Sequence, residues 1–301
     1  MKRKVVQHGP STLTISLPAE WARKNNVKPG DELDIVDEQN NLSVRLNSGH
    51  VAEKRAKIDF GEISVATAQS VLTVLYKSGY SHIDITSLNQ QVIDSIVERT
   101  NSTLVGFEVI DVSKLRCTVE SYTLDEEREF DKVFRRILFV TSEILKRASA
   151  YIATRENEAE IYALEIMSNR LTSLFHRIIN KKSYKDEKSI YSYHIAWIAE
   201  SICDDVRDLI KHMCKDKEHM VPSSKKQLLE QISFVFQKFI ETYYSFSIQE
   251  VDSLRASIIK ILKEYDNLKM SNSNEAVFNM YCFSIAKRIY DCIGSTIGLH
   301  Y

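Results

Sequence analysis

The sequence lacks the features that mark membrane-embedded and exported proteins. Its apolar stretches fall well short of the roughly 18 residues that a membrane span needs. The basic start, Met1 to Lys4, is not followed by the apolar core of a signal peptide. These absences predict a cytoplasmic protein that has no membrane partner.

Cysteines are few and scattered. The five cysteines are odd in number and include no C-x-x-C pair. This pattern argues against a disulfide framework or a zinc knuckle and is typical of a reducing compartment. Because a free thiol packs like a small apolar side chain, we expect most of them to be buried. They are Cys117, Cys203, Cys214, Cys282 and Cys292.

Motifs of the common enzyme classes are also missing. The sequence contains no P-loop, no G-x-S-x-G, no H-E-x-x-H and no glycine fingerprint for a dinucleotide. His176, His194 and His212 have no evident nucleophile partner and are expected to be surface or hydrogen-bonded core residues. We therefore predict that the protein is not an enzyme.

The charge is distributed unevenly. Residues 1–28 contain six basic residues and one acidic residue, a net charge of +5, so the remainder carries −6 of the total of −1. A basic tip on a mildly acidic body is what binding to a nucleic acid at one end would require. Ordinary variation of surface charge is an equally good explanation of this asymmetry by itself.

Residues 1–50 have the pattern of a small β domain. Thr12 to Leu17 alternates polar and apolar residues, as a strand does. Pro18 ends that strand and opens a short helix that continues to about Asn25, and Lys28 to Asp31 has the composition of a turn. Further strands are predicted at Glu32–Val36 and Leu42–Leu46, joined by a turn at Gln39–Asn41.

Residues 51–122 predict a small α/β unit in the order βαβαββ. The strands are Ile58–Phe60 and His82–Ile85, followed by a closing hairpin of Leu104–Ile110 and Leu115–Tyr122. Apolar residues at helical spacing predict one helix from about Val65, ended by Gly79, and a second around Val92–Val97.

Residues 123–301 predict only helices. Proline and glycine nearly vanish there, and six apolar stripes recur at helical spacing. Stripes this wide imply helix-on-helix packing in bundles. The layout suggests two sets of three helices, separated at Val221–Ser224.

The first fifty residues resemble a known DNA-binding family. Gly9 to Trp21 supplies a glycine, a strand ending in proline and a short helix, and Gly30-Asp31 forms a later turn. These parts, in this order and with these gaps, resemble the AbrB/SpoVT swapped-hairpin family over about residues 1–48. The resemblance implies an intertwined homodimer, and about 50 residues with so few apolar side chains bury too little surface to be stable alone. The shared core would consist of Val5, Ile15, Leu17, Trp21, Val27, Leu33, Ile35 and Val44.

Such a dimer would bring two basic segments onto one face. Lysine and arginine there would neutralise phosphates and release counterions, an arginine could pair with a guanine edge, and hydroxyls could donate to phosphate. The candidate DNA-binding residues are Lys2, Arg3, Lys4, Ser11, Thr12, Arg23 and Lys24. Alternatively, Arg23 and Lys24 only interact favourably with the C-terminal end of their helix.

Three helical segments resemble the PhoU family. Residues 164–177 are similar to its first motif, and residues 198–206 to its second, a glutamate four residues before an aspartate. Residues 285–291 resemble a repeat of the second motif, and residues 77–80 and 105–109 resemble the connector of archaeal-type AbrB–PhoU fusions.

The implied fold is multidomain α+β. A swapped-hairpin β-barrel would occupy residues 1–50, an α/β connector residues 51–122, and an all-α PhoU-like region of two three-helix bundles residues 123–301.

The PhoU resemblance implies a divalent or ferric metal ion held by carboxylates. The candidate ligands are Glu165, Asn169, Glu200, Asp204, Asp208 and Asp291. By helical spacing Glu200, Asp204 and Asp208 share a face opposite the apolar stripe, and they repel one another unless a cation or an arginine compensates them. A solvated acidic face is the alternative. Asn169 stands where the family has an aspartate, and Lys287 where it has a glutamate.

The PhoU resemblance implies a role in phosphate uptake or response. Together with the AbrB/SpoVT resemblance and the basic N-terminal segment, it predicts a homodimeric transcriptional regulator with DNA as its partner and a helical sensor region. The first alternative is an adaptor that acts on a phosphate transporter or sensor without binding DNA. The second is an antitoxin-like module, which the folded helical region disfavours.

Overall fold

The computed structural model describes residues 2–38, 41–46, 54–122, 126–181, 188–215, 224–266 and 273–301. The chain divides into two compact units, Met1–Ala52 and Glu53–Tyr301. Within the described ranges, none of the helices is both long enough and apolar enough to cross a membrane.

The first unit contains two small antiparallel sheets and a short helix. β1 (Val6–His8) pairs with β2 (Thr12–Thr14), and β3 (Leu33–Glu38) pairs with β4 (Asn41–Leu46). Helix α1 (Ala19–Lys24) begins directly after Pro18, as predicted. The predicted turn also forms, because the Lys28 amide donates to Asp31 Oδ2 at 2.7 Å.

Two expectations for this unit differ from the structure or lie partly beyond it. The strand predicted to reach Leu17 ends at Thr14 in the single chain. The turn predicted at Gln39–Asn41 falls mainly on residues outside the described ranges. The described strands of one chain close no barrel, and a swapped barrel would need the strands of a second chain.

The second unit begins with an α/β part in the predicted order βαβαββ. Its sheet has the order β5-β6-β8-β7, in which β5 and β6 are parallel and the other neighbours are antiparallel. Helices α2 and α3 pack against each other, and their apolar faces share a core with Ile83, Ile85 and Val119. The elements are β5 (Lys54–Asp59), α2 (Val65–Lys77), β6 (Tyr80–Thr86), α3 (Gln90–Thr103), β7 (Phe107–Ser113) and β8 (Arg116–Ser121).

Six helices follow in the described part of residues 126–301. Helices α4, α5 and α6 pack against one another, and so do α7, α8 and α9. Helix α4 also packs on α7, and α6 on α9, so that the buried side chains of all six form one continuous core. The helices are α4 (Glu126–Thr154), α5 (Glu158–Lys181), α6 (Ser189–Lys215), α7 (Ser224–Tyr244), α8 (Ile248–Asp266) and α9 (Ser273–His300).

A buried arginine of the helical region forms hydrogen bonds to the α/β part. Arg177 on α5 is 2% exposed, and its Nη1 donates to the carbonyl oxygens of Tyr76 at 2.8 Å and Tyr80 at 2.7 Å. The guanidinium also lies over the rings of Tyr76 and Phe107. Asn180 adds a hydrogen bond to the Lys77 carbonyl oxygen. The end of α2 is therefore capped by side chains of α5.

The cysteines are free, and four of the five are buried, as expected. Burial raises the pKa of the Cys203 thiol to about 12, so this side chain packs as a neutral group. Cys214 is the partly exposed member of the set.

Candidate nucleic-acid interface and carboxylate cluster

The seven candidate DNA-binding residues are all exposed, but one chain does not bring them all together. Lys2, Arg3 and Lys4 precede β1, whereas Ser11 and Thr12 lie at the far end of the β1–β2 hairpin. Three residues of strand, roughly 10 Å, separate these two groups.

Arg23 and Lys24 are in the last turn of α1, where positive charge is favourable. The Arg23 Nε donates to the Ala19 carbonyl oxygen at 3.3 Å, which is a contact within the helix. Arg23 therefore interacts with its own helix, as the alternative to DNA contact proposed.

The predicted shared core of the first unit is not formed within one chain. Val5 is 62% exposed, Ile15 58% and Ile35 67%, while Trp21 and Leu17 are only partly covered. No residue of this unit whose burial is described is buried. Three further large apolar side chains, which the sequence reasoning left out, are equally exposed; they are Val6, Leu13 and Leu42. Six large apolar side chains exposed in a unit with no buried residue among those described are consistent with a unit that a partner completes.

The second candidate site is a cluster of carboxylates between α5 and α6, formed by Glu165, Glu200, Asp204 and Asp208. Glu165 is 6% exposed. The other three are partly buried, because α5 packs along α6 at this level. The helical spacing predicted that the three residues of α6 share a face opposite the apolar stripe and left a solvated face as the alternative. In the structure that face is partly covered, with side-chain exposures of 36% for Asp204 and 44% for Asp208.

Arg207 links three members of the carboxylate cluster. Its Nη1 donates to Glu165 Oε1 at 2.5 Å and to Asp204 Oδ1 at 2.6 Å, and its Nε donates to Asp208 Oδ1 at 3.0 Å. Asn169 Nδ2 donates to the same Glu165 oxygen at 2.8 Å, so Asn169 serves as a donor here. Sequence reasoning missed Arg207, although its place three residues after Asp204 puts it on the same side of α6.

Glu200 lies beside a basic side chain from the α/β part. Burial raises the pKa of the Glu200 carboxyl, and the positive charge of Lys77 acts against this increase. Burial likewise lowers the pKa of Lys77, opposed by the charge of Glu200. Burial and the charge of Glu200 together raise the pKa of Asp204 above its usual range. Lys77 was not predicted at this site because it belongs to α2.

Asp291, the remaining candidate ligand, is engaged on α9. Lys287, four residues earlier, donates to Asp291 on the exposed side of that helix. The neighbouring Asp205 on α6 accepts from Arg288 Nε and from Ser284 Oγ, each at 2.7 Å.

The side chains as arranged do not fit a metal ion. Carboxylate oxygens would have to converge on a cation at about 2.0–2.6 Å, but the guanidinium of Arg207 lies where Glu165 and Asp204 approach each other. In the described part of the chain, no three His, Cys, Asp or Glu side chains are placed to hold a metal ion.

The three histidines considered in the sequence have hydrogen-bonding partners. His176 Nε2 lies 3.2 Å from the Tyr193 carbonyl oxygen, and its ring stacks on the Tyr193 ring at 3.6 Å. Burial, with a contribution from Lys77, lowers the pKa of His176 to about 3. His194 contacts Ser295 at 2.7 Å and His212 contacts Asn274 at 3.2 Å.

Comparison with known proteins finds a similarity at the N-terminal end of the chain. Residues 6–46 match the MazE antitoxin family model, described as "Antidote-toxin recognition MazE, bacterial antitoxin". No curated protein and no solved structure matches the chain. The matched residues contain β1 to β4 and α1, so the comparison supports a MazE/AbrB-like domain at this end of the chain.

Proposed function

We propose that the protein is a homodimeric DNA-binding regulator whose N-terminal unit forms the dimer and contacts DNA. The observation that carries the proposal is the exposed apolar surface of this unit, where Ile15, Ile35 and Leu13 are 58–72% exposed. It coincides with the segment that matches a MazE/AbrB-like domain, a type consistent with a DNA-binding regulator or an antitoxin.

Dimerisation has a direct electrostatic consequence. Each chain contributes a net charge of +5 from residues 1–28, and pairing two copies doubles the positive charge on one particle. Binding that neutralises several phosphates weakens steeply as salt rises. A second copy would also remove from water the apolar side chains that one chain leaves exposed.

The proposal is tested by the affinity of the full chain for duplex DNA at several salt concentrations. Reversing the charge at Lys2, Arg3 and Lys4 should weaken binding and flatten the salt dependence, because each lost phosphate contact reduces the slope by about one. The matched control reverses Lys132, Lys146 and Lys211, exposed lysines of the second unit. An equal loss of affinity in both triple variants would show only a dependence on net charge and would reject the proposed interface.

The proposed effector of the helical region is phosphate, or a signal related to it, acting directly or through a protein partner. This part rests on the resemblance of α5, α6 and α9 to PhoU motifs. DNA affinity measured with and without inorganic phosphate tests a direct effect. An unchanged DNA affinity, together with co-purification of a phosphate-transporter subunit that survives charge reversal at Arg3 and Arg23, would instead favour the adaptor function.

An antitoxin function is the second candidate, because the matching family model describes antitoxins. It predicts a toxin partner, expected from an adjacent gene. The test is growth arrest by that gene product alone and relief of the arrest when this chain is co-expressed. Limited proteolysis of the free chain gives a further readout, since the regulator function predicts that the helices and strands described between residues 54 and 301 resist cleavage.

A further inference from the structure

We propose that Arg207 is the built-in cation of the carboxylate cluster, so that an ion pair, and not a metal ion, joins α5 to α6 here. The guanidinium contacts one carboxylate of α5 and two of α6 at 2.5–3.0 Å. Its planar array of N–H donors suits several carboxylate oxygens at once, which the point charge of a lysine does not. Glu165 is the most deeply buried of the three partners, with 8% of its side chain exposed against 36% for Asp204 and 44% for Asp208.

The contacts leave no room for a second cation at the same oxygens. Arg207 Nη1 is shared between Glu165 Oε1 and Asp204 Oδ1, and a metal ion bound to these two oxygens would have to displace it. Asn169 donates to the same Glu165 oxygen. That oxygen therefore already accepts two hydrogen bonds, and Asn169 presents its N–H group to the cluster, where a metal would need a carbonyl oxygen.

In the second half of the helical region, a basic side chain also pairs with an aspartate. Residues 285–291 correspond in layout to residues 198–204, which places Lys287 and Asp291 at the positions of Glu200 and Asp204. There Lys287 donates to Asp291 within α9. In both halves, a basic side chain of the chain itself compensates the aspartate at this position.

The inference predicts a latent metal site. Without the guanidinium, Glu165, Asp204 and Asp208 would lose the cation that contacts all three, leaving the charge of Lys77 to act on Asp204. This loss is costly for a buried carboxylate. Oxygen ligands of this kind favour hard divalent cations such as Mn²⁺. Arg207→Ala should therefore be destabilised and should gain affinity for Mn²⁺.

The experiment compares metal-stripped wild type and Arg207→Ala as full chains. Thermal unfolding is recorded with EDTA and with millimolar Mn²⁺, and Mn²⁺ binding is measured by calorimetry. We expect an unchanged midpoint for wild type. For Arg207→Ala we expect a lower midpoint in EDTA, partial recovery with Mn²⁺, and binding roughly tenfold tighter or more, since the variant lacks the repelling charge. Adding Glu165→Gln to the variant should abolish the recovery.

The matched control is Arg288→Ala. It removes the arginine partner of Asp205, a single carboxylate, so it should lower the midpoint without any recovery by Mn²⁺. If Arg207→Ala does not fold, Arg207→Gln removes the charge while nearly keeping the side-chain volume. An equal response of wild type and the Arg207 variant to Mn²⁺, whether both bind or neither does, would overturn the inference. So would stoichiometric metal in the purified wild type that Glu165→Gln removes.

Discussion

The guanidinium of Arg177 donates to the Tyr76 carbonyl oxygen at 2.8 Å, and its central carbon lies 4.9 Å from the Tyr76 ring centroid. One side chain of α5 thus caps the end of α2 and stacks on its last buried aromatic ring. Because α2 belongs to the α/β part and α5 to the helical region, this contact joins the two within the second unit.

Replacing Arg177 by methionine should destabilise the second unit by roughly 3 kcal/mol or more, because it removes two hydrogen bonds from a buried charged donor. Amide hydrogen exchange should accelerate mainly at the end of α2, around Lys77. Arg170→Met is the matched control, since Arg170 is exposed on the same helix and should change stability by less than about 0.5 kcal/mol. Equal protection at the end of α2 in both variants would contradict this role.

Gly79 is required by its backbone conformation. It has φ +83°, and a Cβ there would lie 2.7 Å from Lys181 Cγ. The lysine side chain can move, so the strain of the backbone dominates, and Gly79→Ala should cost about 1–2 kcal/mol. Gly294→Ala is the control, because this glycine is inside α9 with open space around its Cβ position, and it should stabilise the protein by up to about 1 kcal/mol. If Gly79→Ala and Gly294→Ala shifted the urea midpoint of unfolding in the same direction, this prediction would be wrong.

His176 should make stability dependent on pH below neutrality. Its pKa in the folded chain is about 3, against an ordinary value of 6.5, so the unfolded chain binds the proton more strongly. The stability due to neutral His176 is complete above pH 6.5 and is lost as the pH falls from 6.5 towards 3, by about 1.4 kcal/mol per pH unit. His176→Gln should lack this contribution. The measurement is the difference in unfolding free energy between the two proteins at pH 7 and pH 5, and a constant difference would contradict the burial of a neutral imidazole.

Local patterns predicted much of the fold. The wide apolar stripes predicted the helices from α4 to α9. The succession of strand-like and helix-like patterns, with Gly79 ending a helix, predicted the βαβαββ order. The shortage of buried residues in the first unit also follows from composition, since so few apolar side chains cannot form a core in one copy.

The sequence patterns did not predict which polar side chains contact one another over long distances along the chain. Arg207 and Glu165 are 42 residues apart, and Arg177 and Tyr76 are 101 residues apart. The spacing within α6 indicated that its carboxylates need compensation, but not which side chain provides it. The charge of Lys77 acts on Glu200 from a different part of the fold, because α2 packs on α5.

If two N-terminal units associate as proposed, the oligomeric state should depend on Ile15. Ile15→Glu should yield a monomer, because it places a charge in the shared core, and should abolish DNA binding together with dimerisation. Val74→Glu is the matched control, since Val74 is similarly exposed, at 60% against 58%, but lies on α2 of the second unit. Both variants add the same charge. Because Val74 lies outside the N-terminal unit, only Ile15→Glu should lower the mass of the particle to that of one chain.

The most direct test of the account is sedimentation of the full chain with a labelled DNA duplex at low and at physiological salt. We predict that two chains bind each occupied site and that affinity falls by at least about tenfold between roughly 50 and 200 mM salt, as for a protein that neutralises several phosphates. A folded dimer that leaves the duplex free at the lower salt concentration, or a chain that sediments as a monomer, would contradict the proposal.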